Sequence, residues 1–158
     1  MGLIFQDFVR NFYRLEQTQF NVVKSEQFDW PIAHGVGHNQ QFMPSMKTDV
    51  SLYDGSRTII IECKWTTATL QRRHNVERLH SDHLYQLSAY VRHHPRSASN
   101  KAAVEGLLLY PLVDIPLDVL VSIDGQRIHA RTIDLTKSWE LIHSDLINLI
   151  GANAFSQQ

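Results

Sequence analysis

The sequence predicts an α/β domain, a mixed sheet flanked by helices. Three observations predict it. Apolar residues recur at helical spacing near the start, the middle and the end of the chain; isoleucine-, valine- and leucine-rich runs with strand character lie between them; and two Asp-Gly dipeptides stand where such runs need tight turns. The resulting order of helix, strands, helix, strands, helix is that of a sheet covered by helices. At 158 residues, 43% hydrophobic and 20% charged, the chain has the size of one globular domain spanning 1–158.

Phe5, Phe8, Val9 and Phe12 mark an amphipathic helix over about residues 3–18. Glu16 continues the same stripe, so it lies either at the edge of the core, where a carboxylate needs a partner or a metal, or in water at a frayed helix end. Residues 21–30 read as a first strand, and Gly35 and Gly37 mark a loop. From Met46 to Tyr53 the pattern alternates, with Val50 and Leu52 on one face and Asp49 and Ser51 on the other. Asp54-Gly55 then turns the chain into a strand over Thr58–Trp65. Leu84, Leu87 and Val91 place a second helix over His80–His94, with Ser81 as its cap and Pro95 as its stop. Strands follow over Val104–Tyr110, Val119–Ile123 and Arg127–Leu135, the last two joined at Asp124-Gly125, and Thr136–Ile150 closes the chain as a helix.

Composition excludes several classes. No apolar run approaches the roughly 18 to 20 residues that span a bilayer, and the first residues lack a signal-peptide pattern, so a soluble, cytoplasmic protein is expected with no membrane partner. A single cysteine, Cys63, supports neither an internal disulfide nor a cysteine-based zinc site. The formal charge of -1 is unlike a dedicated nucleic-acid binder, yet basic residues cluster locally: Lys64, Arg72, Arg73 and Arg78 face one acid, Glu77, and a second cluster runs Arg92-His93-His94-Pro95-Arg96. Either cluster alone reads equally as a solvated surface.

The chemistry lies on the central hairpin. Glu62 and Lys64 are two apart and share a face, while Ile61 and Cys63 point the other way. Asp49 lies 13 residues before Glu62, and folding about Asp54-Gly55 brings the two acids to the same end of a strand pair. Two close carboxylates repel, and ionising both is costly unless a cation compensates them. Magnesium bound through oxygen suits that need, with manganese as a substitute. Hydrolysis of a phosphodiester requires a positioned water and charge neutralisation, which carboxylate-held metal supplies. Lys64, beside two acids, is assigned to orienting water and stabilising developing charge. A cross-strand salt bridge on a wet surface would give the same spacing. The three isoleucines before Glu62, and Gln86 and Tyr90 one turn apart on the following helix, favour the catalytic reading.

The stretches Met46-Lys47-Thr48-Asp49, Ile59-Ile60-Ile61-Glu62-Cys63-Lys64-Trp65 and Leu79–Leu87 with Tyr90, extended by Gly106–Pro111, resemble the nuclease part of the McrC family over about residues 1–150. That family is the cleavage subunit of a 5-methylcytosine-specific restriction system and belongs to the PD-(D/E)XK superfamily. The resemblance implies the restriction-endonuclease-like α/β core and DNA cleavage driven by a GTP-hydrolysing AAA+ partner. It makes Asp49 and Glu62 metal ligands, Lys64 the catalytic lysine, and Gln86 and Tyr90 the supporting residues of the following helix. The backbone carbonyl of Cys63 is expected as a further metal ligand, Gln86 is counted in the catalytic set, and Glu16 is expected in support. No proline precedes Asp49, and this sequence begins almost at the first nuclease helix, whereas family members carry an amino-terminal region that engages the motor.

The nine histidines include two pairs, His34 with His38 and His80 with His83. The first lies in a glycine loop without a third ligand, and the second on a helix beside the expected groove, so zinc is not assigned and His80 and His83 are expected to contact phosphate. Arg72, Arg73 and Arg78 are expected to grip the DNA backbone from a loop after the catalytic strand. Neither a Gly-x-Ser-x-Gly elbow nor a Gly-x-x-x-x-Gly-Lys loop is present, so any GTPase is another chain. Cutting both strands requires two centres, which suggests a homodimer on DNA. The rival reading is a non-catalytic subunit that keeps the fold for DNA binding or for assembly with the motor.

Overall fold

The computed structural model describes residues 1–35, 37–74, 76–98 and 102–156, with all side chains among them except those of Arg73 and Ala98. Helix α1 runs over Gly2–Glu16 and buries Phe5, Val9, Phe12 and Tyr13, one stripe at three- and four-residue spacing. The expected first strand is interrupted, as β1 (Val22–Lys24) and β2 (Gln27–Phe28) join different sheets. The next is interrupted too, into β3 (Met46–Lys47) and β4 (Val50–Tyr53). At both breaks side chains join the pairing: the Ser25 hydroxyl donates to the Thr48 carbonyl at 2.6 Å and the Glu26 N–H donates to the Thr48 hydroxyl at 3.2 Å, beside a backbone bond from the Thr48 N–H to the Glu26 carbonyl at 3.0 Å.

Strand β5 covers Arg57–Cys63. The turn before it rests on an aspartate rather than on glycine, because the Asp54 carboxylate accepts the N–H groups of Ser56 (2.7 Å) and Arg57 (2.8 Å). A short exposed hairpin follows, β6 (Gln71–Arg73) and β7 (Val76–Arg78), where the sequence suggested a loop. Helix α2 covers Ser81–His93; its N-cap is His80, not the expected Ser81. Pro95 ends α2 and opens the single turn α3 (Pro95–Ala98), a position proline tolerates because it needs no N–H there. Strands β8 (Ala103–Pro111), β9 (Asp118–Ile123) and β10 (Gln126–Ile133) precede the last helix, α4 (Trp139–Ile150). Between β9 and β10, Asp124 (φ 51°) and Gly125 (φ 78°) are both left-handed, the conformation a two-residue hairpin requires.

The main sheet has the order β1-β4-β5-β8-β10-β9. Its β5–β8 and β8–β10 pairs are parallel and the rest antiparallel, so it is the mixed sheet flanked by helices that the sequence predicts, compatible with a restriction-endonuclease-like core. Period-two alternation along β5 divides its isoleucines. Ile59 and Ile61 pack with Phe5, Val9, Tyr13 and Leu146 of α1 and α4, whereas Ile60 packs with Leu87 and Val91 of α2. Glu62 and Lys64, in phase with Ile60, therefore face α2.

Gly106 sets how closely α2 approaches. A Cβ there would lie 2.8 Å from a Val91 methyl and 2.9 Å from Leu87 Cγ, so only glycine lets α2 sit this near β8.

Candidate active site

Val50 pairs with Ile61 in antiparallel register, and one further step puts Asp49 opposite Glu62. The Asp49 carboxylate accepts the Cys63 N–H at 2.8 Å, and the Glu62 carboxylate accepts the Asp49 N–H at 3.3 Å. Each acid is thus fixed by the other strand's backbone. The N–H and C=O of one residue leave an extended strand on the same edge, so the Cys63 carbonyl points to the edge where Asp49 sits. Its neighbour faces the other way, the Lys64 N–H donating to the Leu109 carbonyl of β8 at 2.9 Å.

Lys64 Nζ donates to the second Glu62 oxygen at 3.3 Å and to Gln86 Oε1 at 2.6 Å, and the Gln86 amide donates to the Tyr90 hydroxyl at 2.9 Å. Asp49, Glu62, Lys64, Gln86 and Tyr90 are therefore brought together at the carboxyl end of a parallel strand, where open α/β sheets leave a crevice. Phe28 of β2 packs edge-on against the Tyr90 ring, with centroids 6.2 Å apart.

The electrostatics are those of a strained acid pair. Burial, then the neighbouring Asp49 charge, push Glu62 up to about 7, against the partial relief of Lys64. Burial also raises Asp49, opposed by the Cys63 N–H, Lys64, Arg10 and Lys47. Glu62 is 1% exposed, so its charge has little help from water. Arg10 of α1, whose guanidinium lies 3.5 Å from the Asp49 carbonyl, is the cation that the sequence did not reveal. Its only signal was a basic residue at the border of the apolar stripe, which most surface helices carry.

Other expected residues lie elsewhere. Glu16 is not brought to the acid pair: it is exposed at the last residue of α1 and pairs with His143 of α4 at 3.3 Å. The helix ends at that point, so the stripe that would have carried Glu16 inward stops. Arg72 and Arg78 are exposed on the β6–β7 hairpin, with Arg72 opposite Glu77 in the register. The Arg73 side chain lies outside the described residues. His80 Nε2 meets the Ala68 carbonyl at 3.2 Å, and His83, 15% exposed, turns its Nδ1 to the Tyr110 hydroxyl at 3.0 Å. Burial and then Lys64 hold the His83 imidazole below its usual range. In the second basic cluster, Arg92 pairs with Asp124 at 2.8 Å, and buried His94 pairs with Glu26 at 2.6 Å.

A family model described as McrBC 5-methylcytosine restriction system component matches residues 1–111, which hold every member of this cluster. The chain belongs to that family. A curated relative, the "Type IV methyl-directed restriction enzyme EcoKMcrBC" of Escherichia coli strain K12, is 30% identical over 149 residues. The match takes in 94% of this chain and 42% of the relative, so this McrBC-family chain spans about two-fifths of that protein's length. Among its described residues, no helix is long and apolar enough to cross a membrane.

Proposed function

We propose that this chain is the metal-dependent DNA-cleaving domain of a modification-dependent restriction system, a PD-(D/E)XK endonuclease that works with a GTP-driven AAA+ subunit. One observation carries the reading. Two carboxylates are held on one face against a lysine, and one of them is so buried that its ionisation is opposed up to about pH 7. An acid pair that disfavours its own ionised form has a chemical use when a cation joins it.

The donor set fits a hard divalent ion. Asp49, Glu62 and the Cys63 carbonyl offer oxygen only, the ligand type of magnesium or manganese. Such an ion, when bound, would neutralise charge on the scissile phosphate and lower the pKa of its water. The chain's own groups do the rest. Asp49 and Glu62 are oriented by backbone N–H groups of the opposite strand. Gln86 fixes the Lys64 amine beside the acid pair, where it can hold a water or a phosphoryl oxygen. Tyr90 keeps the Gln86 amide turned so that its oxygen serves the lysine. The exposed arginines of the β6–β7 hairpin supply sequence-independent contact with the backbone of DNA.

Plasmid nicking tests this reading, with magnesium or manganese, alone and with the AAA+ partner. Cleavage is expected, and Asp49→Ala abolishes it. Equal nicking by Asp49→Ala refutes the assignment of the site. No nicking under any condition favours the rival, a nuclease fold kept for DNA binding or assembly. Sedimentation with a duplex tests whether two copies assemble on DNA.

A further inference from the structure

Beyond the acid pair, the first turn of α2 carries a second set of potential metal ligands: His80, Asp82 and His83 each offer an atom, and these atoms lie within 4.8 Å of one another. We propose that this cluster is a separate site for a borderline transition-metal ion of the zinc class, with two imidazole nitrogens and one carboxylate oxygen as ligands and one position left to solvent.

The outer hydrogen bonds support the assignment. An imidazole that binds metal through one nitrogen is held by a partner on the other, which fixes its tautomer and direction. Both rings have such partners from outside the cluster: the Ala68 carbonyl on His80 Nε2 and the Tyr110 hydroxyl on His83 Nδ1. That leaves His80 Nδ1 and His83 Nε2 to act as ligands, and His83 Nε2 already lies 3.9 Å from an Asp82 carboxylate oxygen. The two rings are stacked, with centroids 4.8 Å apart and 24° between their planes.

Tetrahedral zinc with nitrogen ligands holds its donor atoms about 3.3 Å apart, so no pair in the cluster has to close by more than roughly 1.5 Å. Asp82, 82% exposed, is free to make much of that movement. The Asp82 carboxylate supplies the negative charge that a cation needs, against the positive charge of Lys64 that also reaches His83. Ligand chemistry separates the two sites: nitrogen donors select zinc, nickel or cobalt, and the oxygen set of Asp49 and Glu62 selects magnesium. His83 lies one helical turn before Gln86, and His80 ties α2 to the segment after β5. An ion here would brace the helix that positions Lys64.

The test is titration of the whole chain with zinc chloride, and with cobalt chloride for its visible spectrum, in an Asp49→Ala background that removes the other site. One equivalent of zinc is expected. His80→Ala and Asp82→Asn should each weaken it at least about tenfold, and Tyr110→Phe, which removes one outer partner, by about tenfold. Asp82→Asn alters an exposed residue, so it keeps the test valid if a histidine variant fails to fold. The proposal is overturned if the Asp49→Ala protein binds no zinc, or binds it equally after Asp82→Asn.

Discussion

Replacing Glu62 by Gln removes one negative charge where burial and Asp49 both oppose it, while size and hydrogen-bonding reach are kept. The folded carboxyl holds its proton up to about pH 7, against an ordinary value of 4.5. At about 1.4 kcal/mol for each tenfold difference, ionised Glu62 costs the metal-free fold about 3 kcal/mol. The sign follows from proton binding. Between pH 4.5 and 7 the unfolded chain releases this proton and the folded chain keeps it, so stability falls as pH rises through that window and the whole cost is present above it. Part of the gain is lost in the variant, because Gln offers no charge to Lys64, 3.3 Å away in the native site. A net stabilisation of about 2 kcal/mol at pH 8 is expected, falling to near zero at pH 5, or about 4–8 °C in melting temperature for a chain of this size. Urea denaturation in a chelator, at pH 5 and pH 8, measures it. Magnesium should then stabilise the native protein and not the variant. The reasoning fails if Glu62→Gln is less stable than the native chain at pH 8, or if the difference between them does not change with pH.

Lys64→Met is expected to lower magnesium-dependent cleavage by about 10²–10³-fold, the scale of one lost charge-stabilising donor, in single-turnover assays; intact cleavage removes the role given to Lys64. Gln86→Ala leaves Lys64 without its 2.6 Å acceptor and should slow the same step by about tenfold, with little change in DNA affinity. Gly106→Ala pushes a methyl into Leu87 and Val91 and should cost about 1–3 kcal/mol in a denaturant melt, with slower cleavage as α2 moves outward. Arg72→Ala with Arg78→Ala should flatten the salt dependence of DNA binding by about one to two in log–log slope, measured by fluorescence anisotropy, and an unchanged slope excludes phosphate contact by the hairpin.

Much of this molecule was legible because its signals are short-range. Alternation put Glu62 and Lys64 on one face, an Asp-Gly turn brought Asp49 opposite them, and four-residue spacing aligned Gln86 with Tyr90. The same rules missed the β6–β7 hairpin, whose strands bury none of their described side chains and so show no alternation of burial, and they left Glu16 between the core edge and water, of which the structure has the second. Turn chemistry was read correctly at Asp124-Gly125. At Asp54-Gly55 the position was right too, and the structure adds that the aspartate side chain holds the turn by accepting the Ser56 N–H.

By itself, then, the sequence determined which residues share a face and roughly where each helix and strand lies, because those follow from backbone periodicity within a few residues. Only the tertiary structure decided what meets that face. The approach of α2 over Gly106, the buried surroundings that oppose ionisation of Glu62, the arrival of Arg10 from α1 and the placing of Ala68 and Tyr110 against His80 and His83 depend on packing between segments distant in the chain. No local pattern encodes how much water such packing excludes, and that exclusion sets the charge energetics of the site.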